Sequence, residues 1–141
     1  MQPRYLAFFV TLLSFFVCST AIGQQLPSLD QSSGSTVRIL SLQPSHTTPL
    51  AVGKESRITA EVEYVLAAEK GRIGVFVQND EGYSVATKVE DARITQGRGR
   101  TRVSASILAP AGTHAVHFIV ALYHDEGRST SITATRTFIV K

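Results

Sequence analysis

Three arginines, Arg98, Arg100 and Arg102, stand at every second position of the run Arg93-Ile-Thr-Gln-Gly-Arg98-Gly-Arg100-Thr-Arg102. In an extended chain even spacing sends all three side chains to one side. Guanidinium forks suit carboxylate, sulfate or phosphate groups, so the strip is a candidate site for an anionic polysaccharide or a lipid headgroup. No aromatic residue is interleaved with it, which argues against nucleic acid as a partner. The plainer role of such a run is a solvated outer face that discourages pairing at a sheet edge.

The other candidate chemistry is thinner. His114 and His117 lie three apart, so on a strand they point to opposite faces and cannot share a metal. His124-Asp125-Glu126 puts one imidazole and two carboxylates in a turn, a weak candidate for a divalent cation where acids also sit because they are solvated. Glu61 and Glu63 fall on one exposed strand face, where they read as solvating charge rather than a glycosidase pair. The chain has no Gly-x-Ser-x-Gly elbow, no HExxH, no phosphate-binding glycine loop and no dinucleotide fingerprint. Nor does it set serine, histidine and an acid in a recognisable nucleophile arrangement. The expectation is a protein that is not an enzyme and uses no cofactor or metal.

Strands must position these residues. Val116, Phe118, Val120 and Leu122 alternate along Ala115–Tyr123, while His117, Ile119, Ala121 and Tyr123 occupy the other face. Apolar character on both faces predicts a central strand with a neighbour on each side and partial cover on its second face. Ile119, Ala121 and Tyr123 are therefore a candidate partner face. The run ends in His124-Asp125-Glu126-Gly127, a hairpin turn with glycine where positive φ is favoured. Gly74-Val-Phe-Val-Gln78 ends the same way, in Asn79-Asp80-Glu81-Gly82. Two hairpins of one turn type explain this echo better than a duplicated domain, and the two turns are expected at opposite ends of the sheets.

The first 23 residues carry a basic Arg4, an apolar run from Tyr5 to about Cys18 and a small-residue exit at Ala21-Ile22-Gly23. That is the grammar of a cleaved signal peptide, and the run is shorter than the ~20 residues of a spanning helix. An uncleaved anchor is the competing reading; Val17 is too large for lipoprotein processing at Cys18. A secreted or periplasmic product is expected, with no transmembrane span in the mature chain. Cys18 is the only cysteine, so the mature chain has no disulfide and no thiolate metal site. The 118 residues from 24 to 141 are enough for one core, and their 13 basic and 11 acidic residues leave a mild +2. Residues 24–35, QQLPSLDQSSGS, read as a flexible leader, and residues 36–141 as one domain.

Within that domain the turn signals recur every 8–12 residues. Strands are expected at Thr36–Leu42, Ser56–Leu66, Arg72–Gln78, Tyr83–Val89, Thr101–Leu108, Ala115–Tyr123 and Thr130–Val140. Ala67-Ala-Glu-Lys-Gly71 reads as a short turn, and Arg72–Gln78 with Tyr83–Val89 as a hairpin. Glu90 to about Arg102 reads as a polar connection. Arg136 breaks the apolar parity of Ile132, Ala134, Phe138 and Val140, which a bulge would reconcile. About seven strands and no long helix after the signal predict an all-β, single antiparallel immunoglobulin-like β-sandwich, with a closed barrel as the alternative.

Two segments carry a resemblance: Pro49-Leu-Ala-Val-Gly53 before the strand at Ser56, and Ala109-Pro-Ala-Gly112-Thr113 before the strand at Ala115. With the strand pattern over about residues 36–141 they resemble the immunoglobulin-like and fibronectin-III-like modules of secreted bacterial proteins, CARDB-type adhesion modules included. The antibody-type cysteine pair and core tryptophan are absent. The resemblance implies binding, spacing or assembly duties and assigns no functional residue.

The leading expectation is thus a small secreted non-enzymatic module that binds a protein partner through sheet edges or the Ile119–Tyr123 face. The alternative is an anion-binding surface protein using Arg98, Arg100 and Arg102. A small hydrolase or metal-dependent protein stands last.

Overall fold

A computed structural model of the chain describes residues 34–124 and 129–141. Among these there are six strands: β1 (Thr36–Gln43), β2 (Glu55–Asn79), β3 (Ala86–Glu90), β4 (Ala92–Leu108), β5 (Ala115–His124) and β6 (Ser129–Ile139). All the ladders between them are antiparallel. The hydrogen-bonded order is β3-β4-β2-β5-β6, with β1 also paired to β2. No helix among the described residues is long and apolar enough to cross a membrane. The expected signal peptide and most of the leader lie outside the described residues.

β2 organises the whole. Its first half, Glu55–Leu66, lies between β1 and β4; its second half pairs with β5 from Gly71 to Asn79. Ile39, Ile58, Val62, Val103 and Ile107 from one half join Val75, Val77, Phe118, Val120 and Phe138 from the other in a single buried cluster. One continuous ribbon of strands therefore folds back upon itself as a two-layer antiparallel sandwich. β1 lies against β6 and β5 without pairing to either.

The expected turn at Ala67–Gly71 is extended strand instead. Leu66 pairs with Gly97 and Lys70 with Thr95, so three residues of β2 face Gln96 alone. The backbone groups that this bulge releases are taken up by side chains: the Ala67 N–H donates to Ser35 Oγ at 3.0 Å, and Gln96 Nε2 donates to the Ala67 carbonyl at 3.0 Å. Two expected strands thereby become one, and the count falls from seven to six. The polar stretch from Ala92 onward is likewise strand, held by β2 on its flank. Its apolar alternation is lost because the positions that alternate with the exposed arginines are Gly97, Gly99 and Thr101, the bare Gly99 lying against Tyr64.

The expected hairpin between Arg72–Gln78 and Tyr83–Val89 shrinks to a single bridge, Gln78 to Ser84; β3 pairs with β4. Its turn is as the residues suggest. Gly82 has φ of 85°, and Asn79 Oδ1 accepts the N–H groups of Glu81 (3.1 Å) and Tyr83 (2.8 Å). Asn79 pairs with Val116 and Gly71 with His124, so this turn leaves the sheet at the far end from His124. In β6 the register runs unbroken past Arg136, which keeps the parity of Phe138 yet is exposed. The bulge lies nearer the strand's start, where Thr130 Oγ1 donates to the Leu122 carbonyl at 2.7 Å and accepts the Ile132 N–H. An inward-parity arginine on a terminal strand is a known guard against edge pairing.

The two segments that carried the resemblance meet at one end of the sandwich. The Gly53 N–H donates to the Ala109 carbonyl at 2.8 Å, while Leu50 pairs in parallel with Val140 at the end of β6.

Candidate functional site

Strand parity divides the surface into two outer faces. The first belongs to β2, β5 and β6. Cross-strand register lays down the rows Gln78–His117–Thr137, Phe76–Ile119–Thr135, Gly74–Ala121–Thr133 and Arg72–Tyr123. The predicted partner residues Ile119, Ala121 and Tyr123 thus do share one face. They are unequal there. Tyr123 and Ile119 are half-buried, and Ala121 is only 7% exposed.

The reason lies in Gly74. A Cβ at that position would stand 2.9 Å from Tyr123 Cε2, so the ring lies over the bare glycine backbone and covers the neighbouring Ala121. Arg72 then sits on the Tyr123 ring, its Cζ 4.6 Å from the centroid, with Nη1 3.7 Å from Asp91 Oδ2. Asp91 Oδ1 in turn accepts the Val75 N–H at 3.1 Å, standing in for a ladder partner that β3 does not supply.

The residue this leaves open is Phe76, 44% exposed, paired with Ile119 and 6.5 Å from Tyr123 between ring centroids. Phe76 also forms one wall of a groove of about 320 Å³ that runs to Ala86 and Val89. Sequence reasoning placed Phe76 in an apolar strand but not in the site. Its parity with Gly74 and Gln78 was available; its pairing with Ile119 was not.

The second face belongs to β1, the first half of β2, β4 and β3. Arg98, Arg100 and Arg102 are all exposed on it, as their even spacing predicts. Their cross-strand partners are Val65, Glu63 and Glu61. Glu63 binds Arg38 of β1 at 2.7 Å and stands 3.8 Å from Arg100. Farther along, Glu90 meets Arg57 at 2.7 Å, Lys88 at 3.1 Å and Ser104 Oγ at 2.9 Å. The hydrogen bond from Lys88 first, then that from Ser104, then the Arg57 charge hold the Glu90 carboxyl below its ordinary value. The paired carboxylates Glu61 and Glu63 therefore sit among cations on an open sheet.

The histidines are dispersed. His114 precedes β5; His117 shares a hydrogen bond of 2.9 Å with Thr137 Oγ1; His124 Nε2 shares one of 3.1 Å with the buried Ser35 Oγ. Asp125 and Glu126, the other members of the cation candidate, lie outside the described residues. Among the described residues no three histidine, cysteine, aspartate or glutamate side chains are grouped to hold a metal.

No family model and no curated protein matches the chain. Among solved structures it is similar to the human F-spondin reeler domain, at 14% identity over 76% of this chain and 89% of that one, with a TM-score of 0.42. A likeness that loose carries no argument about function.

Proposed function

We propose that the protein is an exported, non-enzymatic binding module that holds a protein partner on the face of β2, β5 and β6. Phe76 and Ile119 form the centre of the contact and Tyr123 its rim. The observation that carries this reading is the 44% exposure of Phe76 beside Ile119, at the lip of an apolar groove. A large aromatic half out of water, next to another apolar side chain, is the composition of an interface core. Arg72, stacked on Tyr123 and tethered to Asp91, holds the rim in place before any partner arrives.

The rest of the reading rests on sequence. The three-part leader of residues 1–23 supports export. The absence of any recognisable nucleophile, metal or phosphate motif supports a role without catalysis. The turn segments at Pro49–Gly53 and Ala109–Thr113 support kinship with secreted bacterial immunoglobulin-like modules, CARDB-type among them.

The test is site-specific photo-crosslinking in the producing cell. A crosslinker at position 76 or 119 is expected to trap one defined adduct that survives high salt, and a crosslinker at position 102 is expected to trap none of it. An adduct at 102 but not at 76 or 119 sinks the reading, as does catalytic turnover by the purified protein.

A further inference from the structure

The glycines and the arginines of Gly97-Arg-Gly-Arg-Thr-Arg102 have different explanations. Gly97 has φ of 100° where the β2 bulge meets β4, a conformation side chains rarely adopt. A Cβ on Gly99 would stand 2.5 Å from Tyr64 Oη and 2.7 Å from Tyr64 Cζ, so the tyrosine needs the bare backbone. The fold thus uses both glycines. It does not use Arg98 and Arg102: neither makes a hydrogen bond or ion pair with any described residue. Arg102 faces Glu61 across the ladder without bridging it, and Arg98 faces Val65.

Charge on this face is also uneven. At one end Arg57 and Lys88 are balanced by Glu55 and Glu90. At the other, Arg38, Arg98, Arg100 and Arg102 meet only Glu61 and Glu63. Four cations against two anions leave a surplus of two, in a chain whose formal net charge is only +3.

From this we infer that the Arg98–Arg102 strip is a docking track for an anionic polysaccharide, one bearing uronate or sulfate groups. Alternate residues of a strand repeat at about 6.7 Å, so three guanidinium forks line a track roughly 13 Å long. That is a match for a linear polymer with regularly repeated negative groups, which forks bind in bidentate fashion. Beside Arg102, the residues Ser41, Gln43, Thr59 and Glu61 line a shallow depression of about 380 Å³. Hydroxyl and amide groups there offer the hydrogen bonds that sugar hydroxyls require. The exposed aromatic side chains among the described residues, Phe76 and Tyr83, lie elsewhere, and Leu108 at the far end of β4 offers no ring, so bases would find no stacking platform on this face. The inference depends on the proposed function only for export, which is where such a polymer would be met; the track and the Phe76 face are separate surfaces.

The experiment measures binding of the protein, purified as the cell produces it, to heparin as a probe across a sodium chloride series. The logarithm of the affinity is expected to fall linearly with the logarithm of salt. Arg98→Gln and Arg102→Gln are each expected to weaken binding roughly two- to fivefold at low salt, and the triple substitution with Arg100→Gln at least about tenfold. Glu61→Gln is expected to tighten binding about twofold, a gain that a misfolded variant cannot mimic. Phe76→Ser is expected to abolish the partner adduct and leave heparin binding intact, so the two proposals fail separately. The inference is overturned if the triple variant melts cooperatively yet binds like the parent, or if Arg136→Gln on the β6 edge costs as much as Arg98→Gln. It is equally overturned if anionic-lipid vesicles or single-stranded DNA bind more tightly than heparin at the same salt.

Discussion

On the face of β2, β5 and β6, Arg72 is spoken for: it lies 4.6 Å from the Tyr123 centroid and is drawn toward Asp91. On the face of β1, β2, β4 and β3, Arg98 and Arg102 stand beside the ladder with no described partner. Both faces are built from the same 25-residue strand, β2, whose two halves turn different side chains to water. The difference teaches how to separate structural from available charge. A guanidinium stacked on a ring over a glycine is part of the packing, whereas one that the fold leaves unengaged is free for a ligand.

The sharpest way to break this comparison is at the seam that joins the two halves. A Cβ on Gly71 would stand 2.5 Å from the Tyr123 carbonyl oxygen and 3.0 Å from Leu66 Cδ2. A backbone atom cannot swing aside, so Gly71→Ala is expected to cost about 2–3 kcal/mol and lower the melting temperature by roughly 10 °C. Calorimetry that finds this variant as stable as the parent would refute the seam.

Next come the arginines themselves. Arg72→Ala removes the stack on Tyr123 and is expected to cost about 0.5–1 kcal/mol by chemical denaturation. Arg102→Ala is expected to stay within about 0.5 kcal/mol of the parent, as for an exposed residue the fold does not use. Equal costs at the two sites would erase the distinction between the faces.

The smallest effect concerns pH. The Glu90 carboxyl is held below its ordinary value by Lys88, Ser104 and Arg57, so the folded state binds that proton less readily than the unfolded chain. Its contribution to stability is complete above the unfolded carboxylate value of about 4.3 and is lost as pH falls through the lower folded value. Glu90→Gln is expected to flatten that part of the stability profile. A profile between about pH 5 and 3 that is unchanged by the substitution would show the cluster to be inert.

Much of this was legible in the residues. Alternation predicted the strands at Ser56–Leu66, Thr101–Leu108 and Ala115–Tyr123, and each lies within an observed strand. It also predicted that Ile119, Ala121 and Tyr123 share one face and that the three arginines project to one side of their own segment. Two stretches misled. Ala67–Gly71 has turn composition, yet pairing on its flanks and side-chain hydrogen bonds at the bulge keep it extended. Glu90–Arg102 has too few apolar residues to read as a strand, since one side of it faces water and the other packs small residues and glycine under Tyr64.

What the sequence by itself determined is parity: which side chains leave an extended segment on the same side. Parity is local, fixed by the backbone geometry of neighbouring residues. Register is not local. Only the paired strands decided that Phe76 stands beside Ile119, that Glu61 and Glu63 face the arginines, and that Tyr64 lies over Gly99. Those neighbours come from segments tens of residues apart, and their alignment is set by burying one continuous core, which no single segment carries.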